Sequence, residues 1–447
     1  MHIDLDVAAP EEEPRRRSLP AALTAIVLLA ASIAIYVMTR PAPTALIVEP
    51  QPVWAADTGL ELGAPVHAEA RGSTVLVTTK RGVFGFDRAT GERRWQVRLS
   101  ADELLSSPEA AARGVRVTGE RVLIGRTGRT DVLDLVTGVV RYQLPPGETF
   151  VGSRVVTKMT CAPGGGCELA GYGLSDGVRA WRVDLPGAVV NAVPDVVDTG
   201  RQSRADVGEN LYPPVPLVPE RTWAVFTQGA STRVVDLADG HVWSWTGPAT
   251  AQYAVLGERL LDVTDKSAVR GVDPTTGVRL WRAALLDPTW TTPVLADGLL
   301  LDAPLYKAPG PAEFQLVDPA SGAVEKVIVA ADTAMPALGV GGGTVVRLDA
   351  REPALQATRA SGPAWTAHLG RGELGLVKWV TGDGRFVLDA MLGDVHRVWI
   401  VDLATGAAGG FGGHGGVVGY SDGGLITSSY LSMSGSFGVE FYELARR

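Results

Sequence analysis

Six aspartates recur in one setting, each followed four residues later by glycine: Asp87/Gly91, Asp134/Gly138, Asp236/Gly240, Asp273/Gly277, Asp318/Gly322 and Asp402/Gly406. Carboxylates serve general acid–base catalysis and calcium binding, so this array is the first candidate for chemistry. Either use demands convergence of the groups on one reacting centre or one ion. Residues that recur once per repeat are spread over the fold and cannot converge. The local sequence gives them another role. In "FDRATGERRW" (86–95) and "VDPTTGVRLW" (272–281) a strand runs into Asp, a turn follows, and a second strand ends in Trp. The carboxylate can accept from backbone N–H groups just ahead of it, as can the Thr or Ser before the glycine. Glycine supplies the positive φ that closes the hairpin. The array predicts turns.

Other chemistry-bearing residues are scattered. The six histidines, His2, His67, His241, His368, His396 and His414, include no pair at metal-ligand spacing. "GDGRFVLDAMLGD" (382–394) places Asp383, Asp389 and Asp394 at intervals that miss the alternating acids of a calcium loop. There is no G-x-S-x-G elbow; "SMSGSFG" (432–438) reads as a hairpin. The Gly-rich "GVGGGT" (339–344) and "GGFGGHGG" (409–416) lack the lysine and helix that cradle phosphate. No catalytic residue, cofactor site or metal site is assigned.

The elements that carry these turns repeat. An aromatic closes the strand after most turns: Trp95, Tyr142, Trp181, Trp243, Trp281 and Trp365, with degenerate hairpins at 173–181 and 357–365. The period is about 45 residues, with an apolar second strand such as "STVLVTT" and a third strand entering the Asp. Four short strands per unit at this period predict an all-β chain, a β-propeller of four-stranded blades. Each aromatic is expected to dock on a neighbouring blade, burial of such a ring contributing about 2–3 kcal/mol. Nine third-strand segments can be counted, near residues 84, 132, 172, 234, 271, 315, 355, 399 and 440. Propellers usually have four to eight blades, so eight are favoured and nine stay open. The chain ends on a third strand, and "PVWAADTG" (52–59) with Trp54 has the style of a fourth. The N-terminal strand is therefore expected to complete the last blade and close the ring. One interval is long because of a polar and then Pro-rich stretch, 194–220. It reads as a rim loop, either a binding element or a disordered insert.

The Asp–Gly–Trp hairpins resemble the tryptophan-docking motif of pyrroloquinoline-quinone (PQQ)-like propellers over roughly residues 50–447. That superfamily includes quinoprotein alcohol dehydrogenases and the propeller lipoprotein of the outer-membrane barrel-assembly machinery. In the dehydrogenases the resemblance implies a quinone against a disulfide of adjacent cysteines, a calcium ion and a catalytic Asp. Here Cys161 and Cys167 are not adjacent, and no calcium-ligand set matches. The assembly lipoprotein implies a lipidated N-terminal Cys, which this sequence does not have.

The start of the chain adds a location. Residues 1–18 read as a polar tail, 19–39 as one transmembrane helix, 40–50 as a linker and 51–447 as the propeller domain. Leu19 to Met38 is 20 residues without charge, enough to cross a bilayer. Arg15, Arg16 and Arg17 precede it and only Arg40 follows, which puts the N-terminus inside and the propeller outside. A cleaved signal peptide and a twin-arginine signal are the rival readings. Outside the cytoplasm, Cys161 and Cys167 of "CAPGGGC" are expected to form a disulfide. The chain of 447 residues is 46% hydrophobic with 54 Gly, which suits a packed, turn-rich core. A net charge of −8 without a basic block argues against nucleic acid. The resulting expectation is a non-enzymatic, membrane-anchored extracytoplasmic scaffold without cofactor, binding a protein or envelope partner. The alternatives are a quinone-dependent oxidoreductase and an extracytoplasmic sensor.

Overall fold

The chain divides into two compact units, Met1–Thr44 and Ala45–Arg447. The computed structural model describes residues 51–444 of the second unit, apart from 59–64, 101–113, 187–221, 286–293, 303–311, 330–336 and shorter breaks of one to four residues. The tail, anchor and linker at 1–50 and the 194–220 loop lie outside the described residues. Among the described residues no helix is long and apolar enough to cross a membrane.

The described residues form antiparallel sheets in sequence order. The first sheet comprises Pro65–Arg71, Thr74–Thr79, Gly82–Asp87 and Arg93–Arg98, each strand pairing with the next. Among the described residues there are nine such sheets, eight four-stranded and one three-stranded (Trp223–Gln228, Ser231–Asp236, Val242–Thr246). The count of eight favoured by the sequence is corrected to nine. All nine third-strand segments belong to sheets, including the ones whose turns lack Asp or whose outer strands lack an aromatic. Turn chemistry can degrade without loss of the sheet, because burial of both faces holds the strands.

That two-sided burial explains the strand sequences. Thr74–Thr79 (TVLVTT) is buried along its whole length. Val75 and Val77 pack with Ile426, Val439 and Phe441 of the last sheet, while Leu76 packs with Val122 and Ile124 of the second. Sheets stacked between two neighbours need apolar, β-branched residues on both faces, so the usual alternation disappears.

The last sheet uses both ends of the domain. Trp54–Asp57 pairs antiparallel with Ser436–Glu443, as expected from the sequence, with Trp54 opposite Phe441. This sheet then packs on the first: Ser421 Oγ accepts from Ala70 N at 2.7 Å, and Gly419 lies against the Ala68 carbonyl. Arg88, which follows the first turn Asp, donates to Glu443 at 2.8 Å and stacks over Phe441.

Candidate functional site

The repeated hairpin is the most regular feature of the molecule. Asp87 Oδ1 accepts from the amides of Ala89 (2.8 Å) and Thr90 (2.9 Å), and its carbonyl accepts from Gly91 N at 2.9 Å. The same carbonyl bond closes Asp134/Gly138, Asp236/Gly240, Asp273/Gly277, Asp318/Gly322 and Asp402/Gly406 at 2.7–2.9 Å. All six glycines have φ between 66° and 75°, the left-handed region. The Thr90 amide leads the contacts that hold the Asp87 carboxyl below the usual range. At Asp134 burial pushes upward, but Arg141, Thr137 and Val136 outweigh it and hold the group at about 2. In the third sheet Gly173 stands where the Asp should be. Asp176 folds back into the vacant position, its Oδ1 2.6 Å from where a Cβ of residue 173 would lie, and accepts from Val178 N at 2.9 Å.

Each turn glycine carries the aromatic of the preceding sheet. Trp54 lies on Gly91, Trp95 on Gly138, Tyr142 on Gly177, Trp181 on Gly240, Trp281 on Gly322 and Trp365 on Gly406. The ring's polar atom then donates to the carbonyl after the turn's first residue: Trp54 to Arg88 O (2.8 Å), Trp95 to Leu135 O (2.9 Å), Tyr142 to Leu174 O (2.8 Å) and Trp365 to Leu403 O (2.9 Å). Trp181 Nε1 finds no acceptor among the described residues.

Trp243 is a correction. Gly277 is covered by Trp245. The cause is a β-bulge. In the first, second, third, fifth and seventh sheets the register shifts immediately before the aromatic, leaving Arg94, Arg141, Ala180, Leu280 and Ala364 unpaired. The fourth sheet pairs without a shift, Val234 with Trp243 and Thr232 with Trp245. Trp243 instead packs edge-on against Trp223 and His241, with ring centroids 5.3 and 4.6 Å away. A partial signal was present in the sequence: in the first, second, third and fifth sheets the aromatic comes four residues after the turn glycine, and Trp243 comes after three, although the bulged seventh hairpin (Gly362, Trp365) has the same short spacing.

Residues 51–163 match the PQQ_2 family model, described as outer membrane protein assembly factor BamB. Over those residues the sequence is similar to the PQQ-like β-propeller repeat family. Among solved structures it is similar to BamB from Moraxella catarrhalis (12% identity, TM-score 0.40, covering 88% of this chain and 100% of that one). It is also similar to a europium-containing methanol dehydrogenase (11%, 0.42, 90% and 95%) and to the quinohemoprotein alcohol dehydrogenase from Comamonas testosteroni (14%, 0.40, 89% and 77%). At these scores the likenesses carry no inference about activity. No curated protein matches the sequence.

Cys161 and Cys167 form the expected disulfide, but across a hairpin, in register at the end of paired strands. Among the described residues no three His, Cys, Asp or Glu side chains could hold a metal. Asp389 accepts from Val417 N of the last sheet at 2.7 Å and lies 2.6 Å from His396 Nε2, an inter-sheet tie. Asp383, Asp394, His2 and His414 lie outside the described residues. His368 ends an outer strand and is exposed, and His241 stacks on Trp243.

Three buried titratable groups were not singled out as a cluster by sequence. Burial lowers His67 to about 4. Two residues on, burial raises Glu69 to about 7 against the opposing charge of Arg71, 3.9 Å away. Lys158, 2% exposed, is lowered to about 8 by burial and then by Arg116.

Proposed function

We propose that the chain is a nine-bladed, membrane-anchored propeller that acts outside the cytoplasm as a non-enzymatic binding scaffold for a protein or cell-envelope partner. One observation carries this reading. The residues that recur in most of the blades, and that first suggest chemistry, are engaged within the fold. The turn carboxylates accept their own turn amides, and the docking aromatics bridge to the next blade. What remains for recognition are rims and loops on a rigid frame, the usual place for binding. The anchor reading of residues 19–39 and the arginines before them supports an extracytoplasmic position.

Photo-crosslinking from rim positions of the full-length chain in intact cells tests the proposal. Discrete protein or envelope adducts from neighbouring positions are expected. The companion experiment adds PQQ and calcium to the full-length protein while following Trp fluorescence and dye reduction with alcohols. Saturable quenching together with substrate-dependent reduction would replace the scaffold by the oxidoreductase.

A further inference from the structure

The fourth blade differs from the first two in what stands beside its turn carboxylate. Across the ladder from the turn Asp, the second strand supplies Thr74 in the first blade, Arg121 in the second and Trp223 in the fourth. In the first two blades the two carboxylate oxygens have separate partners. Oδ1 accepts from the turn amides, and Oδ2 takes a guanidinium of the same blade. Asp87 Oδ2 pairs with Arg94, which also donates to Thr74 Oγ1 at 3.3 Å. Asp134 Oδ2 pairs with Arg141 at 3.0 Å and with Arg121 at 3.4 Å. Arg94 and Arg141 are the bulge residues of their outer strands.

The fourth blade has neither source of charge. Its outer strand pairs without a bulge, so nothing takes the place of Arg94 or Arg141, and Trp223 stands where Arg121 would. Asp236 Oδ1 accepts from Ala238 N at 2.7 Å, while Oδ2 has no hydrogen bond or ion pair among the described residues. His241 meets Asp236 across the ladder, its carbonyl accepting from Asp236 N at 2.9 Å, but its imidazole lies against the Trp243 ring. Trp223 and Trp243 meet at 5.3 Å and 72°, a corner of two rings on the face that carries Asp236. Trp243 is not needed for docking, since Trp245 covers Gly277. Asp239, exposed in the same turn, adds a second carboxylate, and Trp223, Asp236 and Trp243 are all partly exposed.

Carboxylates and indole faces both attract cations. A guanidinium suits them together, because it stacks flat on a ring while its edge donates to a carboxylate oxygen. The first and second blades show that this carboxylate position takes a guanidinium where the blade supplies one.

We propose that the turn-side rim of the fourth blade receives an arginine side chain of a protein partner, its guanidinium donating to Asp236 Oδ2 and lying against Trp223 and Trp243. The partner's arginine fills the position that Arg94 and Arg141 fill within their own blades. This rests on the scaffold reading and adds to it the chemistry of the partner.

The test uses the full-length protein labelled with fluorotryptophan and followed by fluorine NMR. It is titrated with acetyl-Gly-Arg-Gly-amide and with the same peptide carrying citrulline, which keeps the shape without the charge, or lysine. The Trp223 and Trp243 signals, assigned through Trp223→Phe and Trp243→Phe, should shift saturably with the arginine peptide. The citrulline peptide should bind at least about tenfold more weakly. Asp236→Asn keeps a turn acceptor and should weaken the arginine peptide to a similar degree. Trp223→Arg copies the second blade and should abolish binding, because the chain then supplies its own guanidinium. Unmoved Trp223 and Trp243 signals, an equal response to citrulline or lysine, or undiminished binding in Asp236→Asn overturns the proposal. Binding that appears only in Arg221→Gln also overturns it, since the chain's own neighbouring arginine would then be the occupant. The peptide comparison is read on the unaltered protein, so it decides even if a variant does not fold. Peptide binding without crosslinks in cells would sink the scaffold reading and leave the site standing; crosslinks without peptide binding would do the reverse.

Discussion

The indole of Trp95 rests on Gly138 of the next blade so closely that an added Cβ would come within 2.4 Å of the ring. On its other side the same indole leaves only 2.2 Å for a Cβ at Gly85, its partner across the ladder. The ring is thus held between two glycines of different sheets. Its N–H donates to Leu135 O.

Gly138→Ala should therefore be among the costlier single-methyl additions in the chain. It combines overpacking, about 1–3 kcal/mol, with a left-handed φ of 66° that costs an L-residue about 1–2 kcal/mol. Gly72→Ala is the control, since its φ of 53° meets open space and only the backbone term applies. Urea unfolding of the two variants should show Gly138→Ala clearly more destabilised, by about 1–3 kcal/mol. Equal losses would mean that the ring yields and the docking is loose.

The fourth blade offers a test of the bulge argument. Trp245→Ala removes the ring that covers Gly277 and should cost about 3–5 kcal/mol. Trp243→Ala removes a ring that is partly exposed like Trp245 but packs edge-on to Trp223 and His241 and covers no turn glycine among the described residues, and it should cost less. Comparing the two by thermal melts decides which tryptophan docks. An equal or greater loss for Trp243→Ala would contradict the assignment.

This pair also shows where the sequence is legible. The Asp–Gly turns, the strand positions and the N-terminal strand of the last sheet can be read directly, because each rests on local chemistry: amide capping, positive φ, apolar runs. Trp243 is misread because a bulge changes which residue faces the neighbour, and bulges are set by pairing that a single hairpin does not display. The blade number is a different case: all nine third strands are legible, and eight is favoured over nine only from the usual range of four to eight blades. The outer strand Val324–Val329 has no aromatic and the Arg359–Gly362 turn has no Asp, yet both belong to intact sheets. Lys158 is illegible for a stronger reason. Thr149 faces it within its own sheet, but its partner Thr130 lies in the neighbouring sheet, and only the stacking of two blades brings these two together.

His67 and Glu69 should give opposite pH dependences that mask each other. His67 falls from 6.5 unfolded to about 4 folded, so the unfolded chain binds the extra proton and stability declines as pH drops through that window. Glu69 rises from 4.5 to about 7, so the folded chain holds the extra proton and stability declines as pH rises from 4.5 to 7. Each slope is at most about 1.4 kcal/mol per pH unit, and between pH 4.5 and 6.5 they oppose. Glu69→Gln should leave stability falling towards acid relative to the parent. His67→Gln should leave it falling towards neutrality. Urea midpoints of the three proteins between pH 4 and 7.5 would show the two lines diverging, and parallel profiles would sink the idea.

Deleting residues 51–58 should open the junction between the last sheet and the first. The deletion removes the strand paired with Ser436–Glu443 and the ring on Gly91. It also removes the Trp54–Phe441 stack at 5.4 Å and the Thr58 bond to Phe437 O. The strand Ser436–Glu443 then becomes an unprotected edge carrying Phe441 and Val439. Exposed edges of this kind recruit further strands. The shortened protein should melt lower and self-associate, read by light scattering against the parent. Adding back a synthetic peptide of residues 51–58 in excess should reverse the added self-association, because the groove it leaves supplies both a ladder and a ring slot. Trp54→Ala in that peptide should abolish the rescue if Gly91 is the anchor point. Rescue by the altered peptide would show that backbone pairing alone seals the junction.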